Sequence, residues 1–87
     1  MKHKADNTQL TVIARAPFHI YYEGPAQTVS ATNSVGKFDI LPGHADFFSV
    51  MMPCEVTIET ESKTVNFQIS GGIVGVRDDE VMLFVNM

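Results

Sequence analysis

The sequence predicts an all-β fold: a two-sheet antiparallel β-sandwich of about eight to ten short strands. Three observations carry this. Apolar residues recur with period two, the alternating stretches are separated by Gly, Pro, Asn and Asp, and no long amphipathic helical pattern is present. Neither an internal repeat nor a low-complexity linker interrupts the 87 residues.

In chain order, strands are expected over Leu10–Ala16, 20–23, 26–31, Lys37–Ile40, Phe47–Met51, 55–59, 64–70, 73–77 and 80–85. The segment Thr64-Val65-Asn66-Phe67-Gln68-Ile69-Ser70 is the clearest, since every second residue is apolar and one face is therefore wet. Glu55-Val56-Thr57-Ile58-Glu59 alternates in the same way, and the polar gap Thr60-Glu61-Ser62-Lys63 suits a hairpin loop, so these two strands should pair antiparallel. Asp78-Asp79 separates the last two strands by a tight hairpin, and both residues tolerate the positive φ angles that such turns demand.

Length sets the scale of the core. A chain of 87 residues suits one domain and buries only roughly 60–65% of the surface that its unfolded form exposes. Hydrophobic residues make up 45% and charged residues 18%, too apolar a balance for a disordered tail. No apolar run approaches the ~18–20 residues of a membrane span, so direct membrane insertion is not expected. Six Lys and Arg stand against ten Asp and Glu, a net charge of −4, which disfavours nucleic acid because phosphate binding needs cations. Residues 1–9 form a polar, flexible start without the apolar stretch of a secretory signal, and 10–87 form the domain. Cys54 is the single cysteine, which precludes an internal disulfide and fits a reducing compartment, so the cytoplasmic side is expected.

Three places attract a functional reading. In Gly36-Lys37-Phe38-Asp39-Ile40-Leu41-Pro42-Gly43-His44-Ala45, Pro42 and Gly43 suit the centre of a type II turn, because Pro fixes a negative φ and Gly supplies the positive one. His44 then leaves a rigid corner in a defined direction, as either a contact residue or a surface histidine bonded to its own backbone. In Ser70-Gly71-Gly72-Ile73-Val74-Gly75 the glycines superficially resemble a phosphate-binding loop, but such loops open a helix and the residues after Gly72 read as strand. Gly71 and Gly72 are instead expected to mark a bulge, a bend between sheets or a close backbone approach. Val81-Met82-Leu83-Phe84-Val85 is apolar on both faces, so burying Val81, Leu83 and Val85 points Met82 and Phe84 outward. Either a partner subunit or a further piece of chain covers them, or the strand lies buried on both sides. Phe47, Phe48, Met51 and Met52 raise the same question less sharply.

Catalytic constellations are thin. His3, His19 and His44 have neither the spacing of a zinc helix nor a cysteine cluster, and no metal or other cofactor is expected. Cys54 adjoins Glu55, the reverse of the electropositive setting that activates a thiolate, and no Gly-x-Ser-x-Gly elbow occurs. The run Asp78-Asp79-Glu80 reads as a solvated hairpin tip rather than an acid/base pair.

Taken in register, Leu10 to Ala16, Tyr22-Glu23-Gly24, Val29, Ile40-Leu41-Pro42-Gly43-His44-Ala45 and then Val65 to Gly72 with Val74-Gly75-Val76 give a chain that resembles the epsilon subunit of F-type ATP synthases, in its amino-terminal domain. The resemblance covers about residues 10 to 86. It implies a non-catalytic β-sandwich of the central stalk that binds the gamma subunit and touches the polar loops of the c-ring, coupling proton flow to ATP synthesis as a peripheral part of the complex. By match it places Val35, Lys37 and Phe38 near the ring, and Leu41 and His44 nearer gamma. Asp39 stands where glycine is common, Lys37 where an acidic residue often lies, Asp46-Phe47-Phe48 where Pro-Leu-Leu is frequent, and Cys54 where glycine is common. With Lys37 reversing the usual charge, either the ring supplies the acid or Asp39 replaces it. The family commonly continues into a helical hairpin that can inhibit the enzyme and in some members binds ATP, whereas this sequence ends at Met87 with no such hairpin. Two other classes are a stand-alone sandwich for a small apolar ligand and a small hydrolase or isomerase pairing His44 with Asp46.

Overall fold

The computed structural model describes residues 9–43 and 45–86, so His44 and all of the expected polar start except Gln9 lie outside the described residues. The described chain forms nine strands: β1 (Leu10–Ala16), β2 (His19–Ala26), β3 (Thr28–Thr32), β4 (Lys37–Ile40), β5 (Phe47–Met51), β6 (Cys54–Glu59), β7 (Thr64–Ile69), β8 (Gly71–Arg77) and β9 (Glu80–Asn86). They make the two sheets that the alternation predicts, ordered β2-β1-β9-β8-β5 and β4-β3-β6-β7.

Strand pairing is antiparallel with one exception, β1 beside β9, which runs parallel from Thr11↔Glu80 to Arg15↔Phe84. The chain's first and last strands thus meet at the middle of the larger sheet. The expected hairpins form: β6 pairs with β7 from Cys54↔Ile69 to Glu59↔Thr64, and β8 with β9 from Gly71↔Asn86 to Arg77↔Glu80. Asp78 and Asp79 take φ of 53° and 63° in the β8–β9 turn. Two strands run longer than the alternation indicates by more than one residue, and β3 begins at Thr28 rather than at position 26 because Ala26 ends β2, paired with Leu10. β2 continues through Pro25, opposite Thr11, which an edge strand tolerates because its outer side has no ladder to lose. β8 begins at the glycines because both pair with β9.

The inward residues form one core between the sheets. Leu10, Val12 and Ala14 of β1, Val74 and Val76 of β8, and Val81, Leu83 and Val85 of β9 face Val29, Ala31, Ile40, Val56, Ile58 and Ile69 of the smaller sheet. The two open sides of the sandwich are closed by aromatic pairs. Tyr21 of β2 stacks on Phe67 of β7 at 4.8 Å, and Phe38 of β4 meets Phe47 of β5 at 5.4 Å. At the Ser70 corner the chain changes sheets within one residue, and this requires the two glycines. A Cβ on Gly72 would lie 2.9 Å from Val85 Cα and closer still to the Phe84 carbonyl oxygen. The glycine run is a corner under a close backbone approach, one of its expected structural readings.

Candidate functional site

Strand β4 and the turns that flank it carry most of the candidate residues, and the strand's edge position decides what each can touch. It pairs only with β3, so its side chains alternate between the core and the outer face. Lys37 and Asp39 are exposed, and Ser30 Oγ on β3 donates a 2.6 Å hydrogen bond to Asp39 Oδ1. Phe38 turns the other way, half-buried against Phe47, so it closes the side of the sandwich.

The two ends of β4 present different turns. At its start, Asn33 Oδ1 accepts the N–H groups of Val35 (2.9 Å) and Gly36 (3.1 Å), while the Asn33 and Gly36 backbones bond reciprocally. This Asx-type turn projects Val35, 93% exposed, from the end of the molecule. At its other end Leu41 is exposed, and Gly43 takes the positive φ, 83°, that the Pro-Gly corner predicts. Four strand residues separate the turns, about 13 Å at the rise of an extended chain. Val35 and Leu41 therefore belong to opposite ends of the sandwich.

Met82 and Phe84 lie elsewhere, on the outer face of the five-stranded sheet. Both point outward, 44% and 50% exposed, while Val81, Leu83 and Val85 are buried, as the alternation requires. β9 is the central strand of its sheet, yet only one of its faces is covered. The registers extend the patch in two rows: Phe48, Gly75, Met82 and Ile13 across β5, β8, β9 and β1, then Val50, Ile73, Phe84 and Arg15. Because Gly75 has no side chain, a hollow of about 540 Å³ opens between Phe48 and Met82, with Arg77 and Glu80 at its rim. The outer face of the four-stranded sheet is the opposite in character. It presents Ser30, Thr32, Lys37, Asp39, Glu55, Thr57, Glu59, Asn66 and Gln68, an ordinary wet surface.

β5 joins the two groups of candidates, since Phe47 turns inward to Phe38 and Phe48 outward into the apolar rows. Sequence alternation gives Met82 and Phe84 at once and the β8–β9 hairpin sets Ile73 beside Phe84, but the membership of Phe48 and Val50 in the same patch depends on strand order. The pattern within β5, with Met51 buried, was the one signal that places Phe48 and Val50 outward. Phe18, wholly exposed at the β1–β2 turn, carries no pattern that marks it. Cys54 is half-buried, and among the described residues no group of three His, Cys, Asp or Glu stands close enough to hold a metal ion. The pairing of His44 with Asp46 lies outside the described residues; the Asp46 carboxylate itself accepts the Asp78 N–H at 3.1 Å.

This architecture has known counterparts. The family model described as "ATP synthase, Delta/Epsilon chain, beta-sandwich domain" matches residues 7–87. An ATP synthase epsilon chain from Ruthia magnifica subsp. Calyptogena magnifica is 38% identical over 63 residues, covering 72% of this chain and 46% of that protein. The chain spans about half the length of this curated relative. Among solved structures, a chain of the Euglena gracilis mitochondrial ATP synthase, in a structure of OSCP, F1 and c-ring, superposes with a TM-score of 0.86 at 20% identity, covering 99% of this chain and 57% of that one. A chain from the central stalk and c-ring of the Tetrahymena thermophila mitochondrial ATP synthase gives 0.78 at 18%, covering 98% and 67%. At these identities the two structures speak for the fold.

Proposed function

The chain belongs to the family of ATP synthase delta/epsilon-chain β-sandwich domains, and from that premise we propose that it is a non-catalytic rotor domain that docks on gamma and contacts the c-ring. The observation that carries this reading is the contrast between the two outer faces. Apolar side chains on Phe48, Val50, Ile73, Met82 and Phe84 stand side by side on one sheet, whereas the other sheet is polar throughout. An exposed apolar patch of adjoining rows is a mark of an interaction surface, and Met and Phe are suited to one.

In this reading the apolar rows and Leu41 serve gamma. The Val35 turn and the exposed flank of β4, with Lys37 and Asp39, serve the ring, and Phe38 contributes by fixing β4 against β5. Partners that grip opposite ends and one face of a rigid sandwich transmit torque through its sheets rather than through loops. Through that grip the domain helps couple proton flow at the ring to ATP synthesis, as a peripheral part of the complex on the cytoplasmic side of the membrane, while carrying neither reaction itself. Gamma from the same organism, immobilised and challenged with the purified chain, should retain it. Substituting Met82 and Phe84 together by Ser should weaken that retention by about a hundredfold, since two interface anchors of about 1–2 kcal/mol each are lost. Failure of the unaltered chain to bind gamma would refute the reading.

A further inference from the structure

Two loops from different parts of the chain meet at the end of the sandwich that carries Leu41, and each gives the other a carboxylate and an amide. The Gly43 N–H donates to Asp79 Oδ1 at 2.9 Å, and the Asp78 N–H donates to Asp46 Oδ1 at 3.1 Å. Asp79 is 4% exposed, the one buried charged or polar residue among those described, and its carbonyl oxygen accepts the Thr11 N–H at 2.9 Å. Its φ of 63° belongs to the tight β8–β9 turn, where Asp is tolerated and Gly preferred. A buried carboxylate at a position that glycine would fill more easily points to a use for its oxygens.

We propose that Asp79, assisted by Asp46, is a positioning residue that clasps the Leu41–Gly43 corner to the β8–β9 turn and so holds the corner ready for its partner. The clasp crosses between loops far apart in the chain, Gly43 to Asp79 over 36 residues and Asp46 to Asp78 over 32, and ties the link between the sheets to the tip of the central hairpin. Charge-assisted bonds to backbone N–H are among the stronger hydrogen bonds, and the one to Asp79 is part-buried, with the acceptor residue inside and the Gly43 donor at the surface. Without it the exposed Leu41 corner samples more conformations and must be ordered on binding, which costs affinity while leaving the core untouched. The proposal rests on the gamma-docking reading above, but the clasp itself is measurable without the partner.

The test uses Asp79→Gly and Asp79→Asn in the full chain. Glycine accepts the turn's φ and removes the acceptor, whereas asparagine keeps both the φ tolerance and an Oδ1 acceptor. Expected for Asp79→Gly is at least about tenfold faster amide exchange at Gly43 with the β9 amides unchanged, and about tenfold weaker gamma binding measured well below the melting transition. Asp79→Asn should restore both, and Asp46→Ala should speed exchange at Asp78 alone. Unchanged Gly43 exchange in Asp79→Gly would overturn the clasp. Unchanged gamma affinity beside accelerated exchange would overturn its positioning role, whereas no binding by the unaltered chain would sink the docking reading and leave the clasp to the exchange result.

Discussion

Individual residues in this domain are constrained by different physics even where they look alike in sequence. Gly72 and Gly75 both sit in β8, three residues apart, and only the first is obligatory. A Cβ at Gly72 would drive into the backbone of Phe84 and Val85 on a strand that cannot move without disturbing the core, and its φ of 158° is itself unfavourable to L residues. At Gly75 the nearest atom to a new Cβ is Phe48 Cδ1 at 3.9 Å, an ordinary contact. Thermal melts should therefore separate them. Gly72→Ala is expected to lose about 3 kcal/mol or more, a fall of more than about 12 °C for a domain of this size. Gly75→Ala should stay within about 1 kcal/mol of the parent. Equal melting points would show that the close approach at the corner relaxes freely.

At the scale of elements, β9 carries the sharpest contrast. Its burial alternates strictly along Glu80–Asn86, with Val81, Leu83 and Val85 inside and Met82 and Phe84 outside. Truncating the buried side opens a cavity, so Leu83→Ala should cost about 2–4 kcal/mol by denaturant unfolding. Met82→Ala removes outward surface and should cost less than about 1 kcal/mol. A large loss at Met82 would mean that the outer face contributes to folding as well as to docking. The alternation of β9 was legible in the sequence, as were the β6–β7 hairpin, the Asp78-Asp79 turn and the positive φ of Gly43, because each depends on residues close together in the chain. The joining of Phe48 and Val50 to Ile73, Met82 and Phe84 was not, since β5 becomes a neighbour of β8 only through sheet order.

For the molecule as a whole, the larger sheet is closed by its own ends. β1 and β9 pair in parallel near the middle of that sheet, bringing Thr11 beside Glu80. Folding must therefore join residues at nearly opposite ends of the chain before the central ladder is complete. The purified chain is expected to show an almost purely β far-ultraviolet circular dichroism signal, with or without chelator and reductant, because its core is one apolar cluster and Cys54 is free. Hydrogen exchange should be slowest in β1, β8 and β9, paired on both sides, and faster in the edge strands β2 and β4. A dominant helical signal, or protection greatest at an edge strand, would contradict this order of stability.

The sequence by itself determined the all-β class, the strands and their inward faces, the two tight turns and the family resemblance, because side-chain period and turn chemistry are local properties. Beyond the two local hairpins, tertiary structure alone decided which strands adjoin. From that followed the parallel β1–β9 pair, the joining of the exposed apolar residues into one face, the hollow above Gly75 and the mutual grip of Asp46 and Asp79 on two distant loops. Period-two alternation fixes which side of a strand is apolar but carries no information about its neighbour. Sheet order is selected by the packing of the whole core, and the surfaces built across several strands are set only when that selection is made.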